Sequence, residues 1–257
     1  MSATLPYTGV LVRQHDPDRF FLTLMQPAAQ RPALWALLAF NHEIARTSEV
    51  VSEPTLGYMR LQWWRDALNN IYAGNPPPKH EILEPLAEAM HRYSLPQDLF
   101  EGLLTAREHD LEDYVPDTVE ALKIYAASTT LPLTRLMLAV AGEHADGVDH
   151  IACAYGLCGL MRAIPFQAQQ GRCLVPSASI EDLFRDAGKR KAALTLLHDV
   201  AVQELIAAGR TSSKFLRRMN HATRLYLRHM RGLDYDLLDK RYPEMPPFFH
   251  LRLLLNL

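Results

Sequence analysis

Apolar residues in this chain recur at intervals of three and four along most of its length, and strict alternation is scarce. That spacing describes one face of an α-helix, whereas a half-buried strand needs period two. Helix start and stop signals agree. Pro27 and Pro54 suit first helical turns, and Gly74 followed by "NPPP" ends the segment that Pro54 opens. "DTVE" (117–120) has the form of a capping box with Asp117 as N-cap, and "SIED" (179–182) repeats it. Gly142 and Gly209 suit helix ends. The pattern predicts helices over 15–25, 28–51, 55–73, 80–94, 97–113, 118–141, 146–170, 180–187, 190–208, 212–231 and 247–256. Neither long break, "GNPPPKH" nor "KRYPEMPP", leaves two self-sufficient halves. The expectation is one all-α domain over residues 1–257, its core formed between facing helices.

Composition narrows the function classes. With 48% hydrophobic and 22% charged residues, the chain reads as globular and can bury a core without disulfides or metals. A net charge of −2 offers no global attraction to nucleic acid. Cys153, Cys158 and Cys173 are an odd number with no C-x-x-C pair, which argues against a disulfide framework or a zinc site and for a reducing, cytoplasmic setting. The first residues lack the basic and apolar regions of a signal peptide, and no apolar run approaches the roughly 20 residues that span a bilayer. Dinucleotide, P-loop, H-E-x-x-H and G-x-S-x-G motifs are missing, so no cofactor is expected.

Charge is distributed unevenly. From His150 to Ile180 there is no Asp or Glu, although the chain has 29. Within that segment, "GLMRAIPFQAQQGRCLVP" (159–176) keeps Arg162 and Arg172. By contrast "REHDLEDY" (107–114) is dense in acids, with Glu108 and Glu112 one helical turn apart. Together with Asp110 they are candidate ligands for a divalent ion. The commoner role of such a run is a solvated face, balanced here by Arg107.

"PALWALLAFNHEIARTSEV" (32–50), "LQWWRDAL" (61–68) and "GLMRAIPFQAQQGRCLVP", in that order, resemble the squalene/phytoene synthase family over about residues 15–235. The resemblance implies an isoprenoid-synthase-type helical bundle around a central cavity. Active members of that family join two prenyl diphosphates head to head. Paired aspartates one turn apart on facing helices hold Mg²⁺, which stabilises the departing diphosphate. At the matching positions of the first motif this chain has Ala45 and Arg46, with Glu49 last. In the second it has Ala163 and Gln167, while Gly171, Arg172 and Pro176 keep the closing turn.

Two readings follow from the resemblance. The favoured one is the aspartate-lacking branch, which includes the mitochondrial complex I assembly factor and its bacterial relatives. It implies a non-catalytic scaffold whose partners are respiratory-complex assembly intermediates and whose cavity holds an isoprenoid or a lipid. The alternative is a divergent prenyltransferase. There Arg46, Arg60, Arg65, Arg162 and Arg172 would converge on a diphosphate, with Glu49, Glu108, Asp110 and Glu112 as residual Mg²⁺ ligands. Structural roles compete with these: Arg65 with Asp66 or a neighbouring helix, Arg172 with its turn, Trp63 and Trp64 with packing. The tail "PPFFHLRLLLNL" places Phe248, Leu251, Leu254 and Leu255 on one stripe. It is expected to pack on the bundle, and peripheral contact with the inner face of a membrane suits either reading.

Overall fold

The structure, a computed structural model, describes residues 5–112 and 114–255. Helices account for all its regular structure among these residues. The backbone divides into two compact units: Met1–Tyr114 with Pro132–His144, and Val115–Leu131 with Ala145–Leu257.

In the first unit α1 (Tyr7–His15), α2 (Pro17–Leu24), α3 (Arg31–Ala45), α4 (Thr47–Val50), α5 (Pro54–Tyr72), α6 (Leu83–Tyr93) and α7 (Gln97–Glu108) follow in order. Every residue from Ala33 to Asn41 is buried, so α3 is enclosed on nearly all sides, by α1 and α6 foremost. Phe40 meets Trp64 of α5 edge-on at 5.3 Å and Phe100 of α7 at 5.6 Å. Buried Trp35 finds a partner for its indole N–H in Thr23, at 2.8 Å. The adjacent tryptophans diverge as helical geometry requires: Trp64 is buried and Trp63 is exposed.

α8 (Val119–Ala141) contributes residues up to Leu131 to the second unit and the remainder, from Pro132, to the first. The second unit continues with α9 (Val148–Gln169), α10 (Ile180–Arg185), α11 (Ala187–Ala207), α12 (Lys214–Gly232) and α13 (Phe249–Leu255). α9 packs on α11 and α12. At Gly156 it also meets the first part of α8 closely: a Cβ there would lie 2.6 Å from the Ala126 carbonyl oxygen and 2.7 Å from Thr130 Oγ1.

Several expectations about the helices are corrected. The helix expected over 15–25 is α2, Pro17–Leu24, capped by the Asp16 side chain, and α1, Tyr7–His15, precedes it where no helix is expected. The helix expected over 28–51 starts at Arg31 and breaks at Arg46. Thr118, not Asp117, caps the start of α8, its hydroxyl accepting the N–H of Ala121 at 3.1 Å. The segment expected as 97–113 closes at Glu108 into a 3₁₀ turn over His109–Leu111, and Asp113 lies outside the described residues. The Ser179–Asp182 capping box is present as expected, and Gly142 and Gly209 end their helices at positive φ. The tail forms α13 but packs through Phe249 and Leu253; the expected stripe of Phe248, Leu251, Leu254 and Leu255 is its exposed side. α8 and α9 are long and apolar enough by composition to cross a membrane, contrary to expectation. The packing of α9 on α11 and α12 is that of a core helix.

The contact at Gly156 involves backbone that cannot swing aside. Gly156→Ala is therefore expected to destabilise the protein by about 1–3 kcal/mol through overpacking, read as a lowered urea midpoint with an unchanged slope.

Candidate functional site

The two sets of motif positions lie at the ends of α3 and α9. In the first unit α3 stops at Ala45, and Arg46 occupies the turn before α4. The Arg46 guanidinium faces Glu43, one turn back, at 3.5 Å. Arg60 of α5 reaches the other Glu43 oxygen at 2.5 Å. One largely buried carboxylate thus serves two cations. Beside it His42 stacks on His15 with ring centroids 4.4 Å apart. Burial, and then the neighbouring His15, hold His42 below the ordinary histidine range. Glu49 stands exposed on α4.

Arg65 does not join Arg46 and Arg60. It donates to Glu101 of α7 at 2.9 and 3.0 Å and to Glu108 at 2.9 Å, and leaves Asp66 to Gln62. The hydrogen bonds it donates to Glu101 raise the Arg65 pKa above its ordinary value, and the same contact lowers that of Glu101. The acidic run is likewise dispersed among partners. Glu108 takes Arg65, Asp110 takes Arg107 at 3.2 Å, and Glu112 accepts the Tyr58 hydroxyl at 2.7 Å. Among the described residues no three His, Cys, Asp or Glu side chains are grouped to hold a metal ion.

In the second unit the last turns of α9 carry Arg162, Ala163 and Gln167. Arg162 lies over the ring of buried Tyr226 on α12, 3.7 Å from its centroid. Its Nε and one terminal nitrogen both donate to the Pro243 carbonyl, at 3.2 and 3.1 Å. An aromatic face and a backbone carbonyl thus both meet the guanidinium. Gln167 buries its side-chain carbonyl oxygen without a hydrogen-bond partner among the described residues. Beyond it Gly171, at φ 75°, turns the chain, and the Arg172 N–H returns to the Gln167 carbonyl at 2.9 Å. Next to α9 an open cleft of about 530 Å³ is lined by Pro165, Phe166, Ile180, Phe184, Leu238 and Pro243, among others.

The family model for squalene/phytoene synthase matches residues 12–248. The chain belongs to the squalene/phytoene synthase family. Two solved family folds resemble it along most of both chains. A dehydrosqualene synthase crystallised with a ligand superposes with a TM-score of 0.76 at 15% identity, covering 97% of this chain and 93% of that one. The squalene synthase of Alicyclobacillus acidocaldarius gives 0.68 at 20% identity, covering 89% and 93%. In sequence, the bovine NADH dehydrogenase (ubiquinone) complex I assembly factor 6 is 30% identical across 94% of this chain and 70% of its own length. The human protein of that name is 31% identical across 77% of this chain, which spans 62% of the human length. A presqualene diphosphate synthase of Rhodopseudomonas palustris is 27% identical over 59% of this chain and 55% of its own.

The residues present do not suit the Mg²⁺ that the squalene/phytoene synthase family implies. Mg²⁺ selects carboxylate and phosphate oxygens. The motif positions offer two methyl groups, a guanidinium already paired and a neutral amide, with Glu49 alone able to ligate as an anion. The partners that matter here, Glu43, Glu101, Tyr226 and Pro243, were not singled out from the sequence. Only Glu43 left a local signal, lying three residues before Arg46 on one helix.

Arg162→Gln removes the contact with Tyr226 and the forked bonds to Pro243. It is expected to cost about 1–3 kcal/mol and to hasten limited proteolysis within residues 233–248, while far-UV circular dichroism stays unchanged.

Proposed function

We propose that this squalene/phytoene synthase family member is a non-catalytic scaffold acting in the assembly of a respiratory NADH dehydrogenase complex. The observation that carries the reading is the end of α9, where Ala163 and Gln167 stand one turn apart in a segment without any carboxylate. The names of the bovine and human relatives support the assembly role. No Mg²⁺ is needed for such a role, and none is proposed.

A scaffold of this kind works at a membrane. The exposed side of α13, formed by Phe248, Leu251, Leu254 and Leu255, suits shallow insertion at a bilayer surface. The cleft beside α9 suits an apolar chain, an isoprenoid or an acyl tail, because its walls are mostly hydrocarbon.

Two tests bear on the proposal. In the host organism, deletion of the gene is expected to deplete the assembled NADH dehydrogenase complex on native gels of membranes. Full assembly in its absence would remove the scaffold reading. In vitro, the double variant Ala163→Asp/Gln167→Asp is expected to remain without turnover of farnesyl diphosphate in Mg²⁺, because the end of α3 still lacks its pair. Product formation by the double variant, followed chromatographically, would favour a prenyltransferase instead.

A further inference from the structure

A second cleft, of about 430 Å³, lies in the second unit between the loop that follows α11 and the first turns of α12. Its walls are Gly209, Thr211 and Asn220 with the ionisable side chains of Arg210, Arg217, His221 and Arg224. Among the described residues no carboxylate lines it. The surrounding sequence is equally one-sided: seven Lys or Arg residues and no Asp or Glu fall between Leu205 and Leu233, in a chain whose net charge is −2.

The arginines are held in place by neutral groups. Arg217 spends one terminal nitrogen on the carbonyls of Thr211 and Ser212, at 3.2 and 2.7 Å. Arg224 donates through Nε to Asn220 Oδ1 at 2.8 Å and through one terminal nitrogen to the Leu205 carbonyl at 3.3 Å. A guanidinium has five N–H donors, so each keeps others for a ligand. Arg210 is exposed on the same rim. Anchoring by carbonyls fixes the donors without cancelling their charge. Three like charges around one concavity repel each other, and an anion relieves that cost. Where Arg46 and Arg60 come together, by contrast, an acid, Glu43, pairs with both.

We infer that this cleft is a binding site for a phosphate group, either free or on a lipid headgroup. Guanidinium forks match phosphate oxygens in geometry as well as charge, and the volume accommodates one such group with a short substituent. The site is separate in sequence from the motif positions on α3 and α9 and does not depend on the assembly reading.

The test uses the full chain and two probes. Inorganic phosphate is titrated while the arginine Nε resonances are followed by NMR. Flotation is measured with phosphatidylcholine vesicles, with and without phosphatidylglycerol. Phosphate is expected to shift the Arg217 and Arg224 resonances. Arg210→Glu, at an exposed position, is expected to weaken binding about tenfold or more. Arg224→Gln is expected to do likewise, and Arg224→Lys to recover part of the loss. Shifts with phosphate but no flotation identify a free phosphate compound as the ligand. Flotation that needs phosphatidylglycerol, is competed by phosphate and is lost in Arg210→Glu identifies a headgroup. No shift and no flotation overturns the site, as does binding unaltered in both Arg210→Glu and Arg224→Gln. Stronger binding to a DNA duplex than to either probe would also overturn it.

Discussion

Nine consecutive residues of α3, Ala33 to Asn41, are buried. A helix enclosed to that degree can carry ionised groups only toward its end, and only with partners, because an unpaired charge cannot be desolvated cheaply. Glu43 meets that requirement by drawing in Arg46 from one turn on and Arg60 from α5. α9 meets it differently. Its last turns carry a single cation, Arg162, set against Tyr226 and the Pro243 carbonyl. In each unit, then, a charged group near the motif positions, Glu43 or Arg162, finds partners within that unit. A metal-diphosphate site needs the opposite, carboxylates left available for an ion.

This contrast organises the functional reading. The family fold is kept while the donors that would hold Mg²⁺ are absent from the positions the family resemblance assigns to them. Fold alone does not fix function, so the reading rests on the site and on the relatives rather than on architecture. The arginines at these positions have structural work: Arg46 and Arg60 on Glu43, Arg65 between α5 and α7, Arg162 on the loop before α13.

How much of this was legible in the sequence depended on range. Helical character followed from apolar spacing, and the capping box at Ser179 followed from a pattern four residues long. α1 escaped because Thr8 and Gly9 are poor helix formers. Gly9 is used for a close approach, since a Cβ there would sit 3.0 Å from the Trp35 ring. The break at Arg46 escaped because Ile44 and Thr47, both buried, continue the helical spacing across it. The substituted motif positions could be named directly, whereas the partners of their neighbours could not. Arg60 finds Glu43 across 17 residues, Arg65 finds Glu108 across 43, and Arg162 finds Pro243 across 81. Nothing local encodes such pairings. The basic stretch between Leu205 and Leu233 was visible as composition, but its concave arrangement required the fold.

The central claim, that no working metal-diphosphate site survives, is tested most directly by calorimetric titration of farnesyl diphosphate into the protein, first with Mg²⁺ and then with EDTA. The account predicts that Mg²⁺ makes no difference: the two titrations coincide, whether the heats are absent or reflect capture by arginines alone. Tight binding that appears with Mg²⁺ and vanishes with EDTA would contradict it.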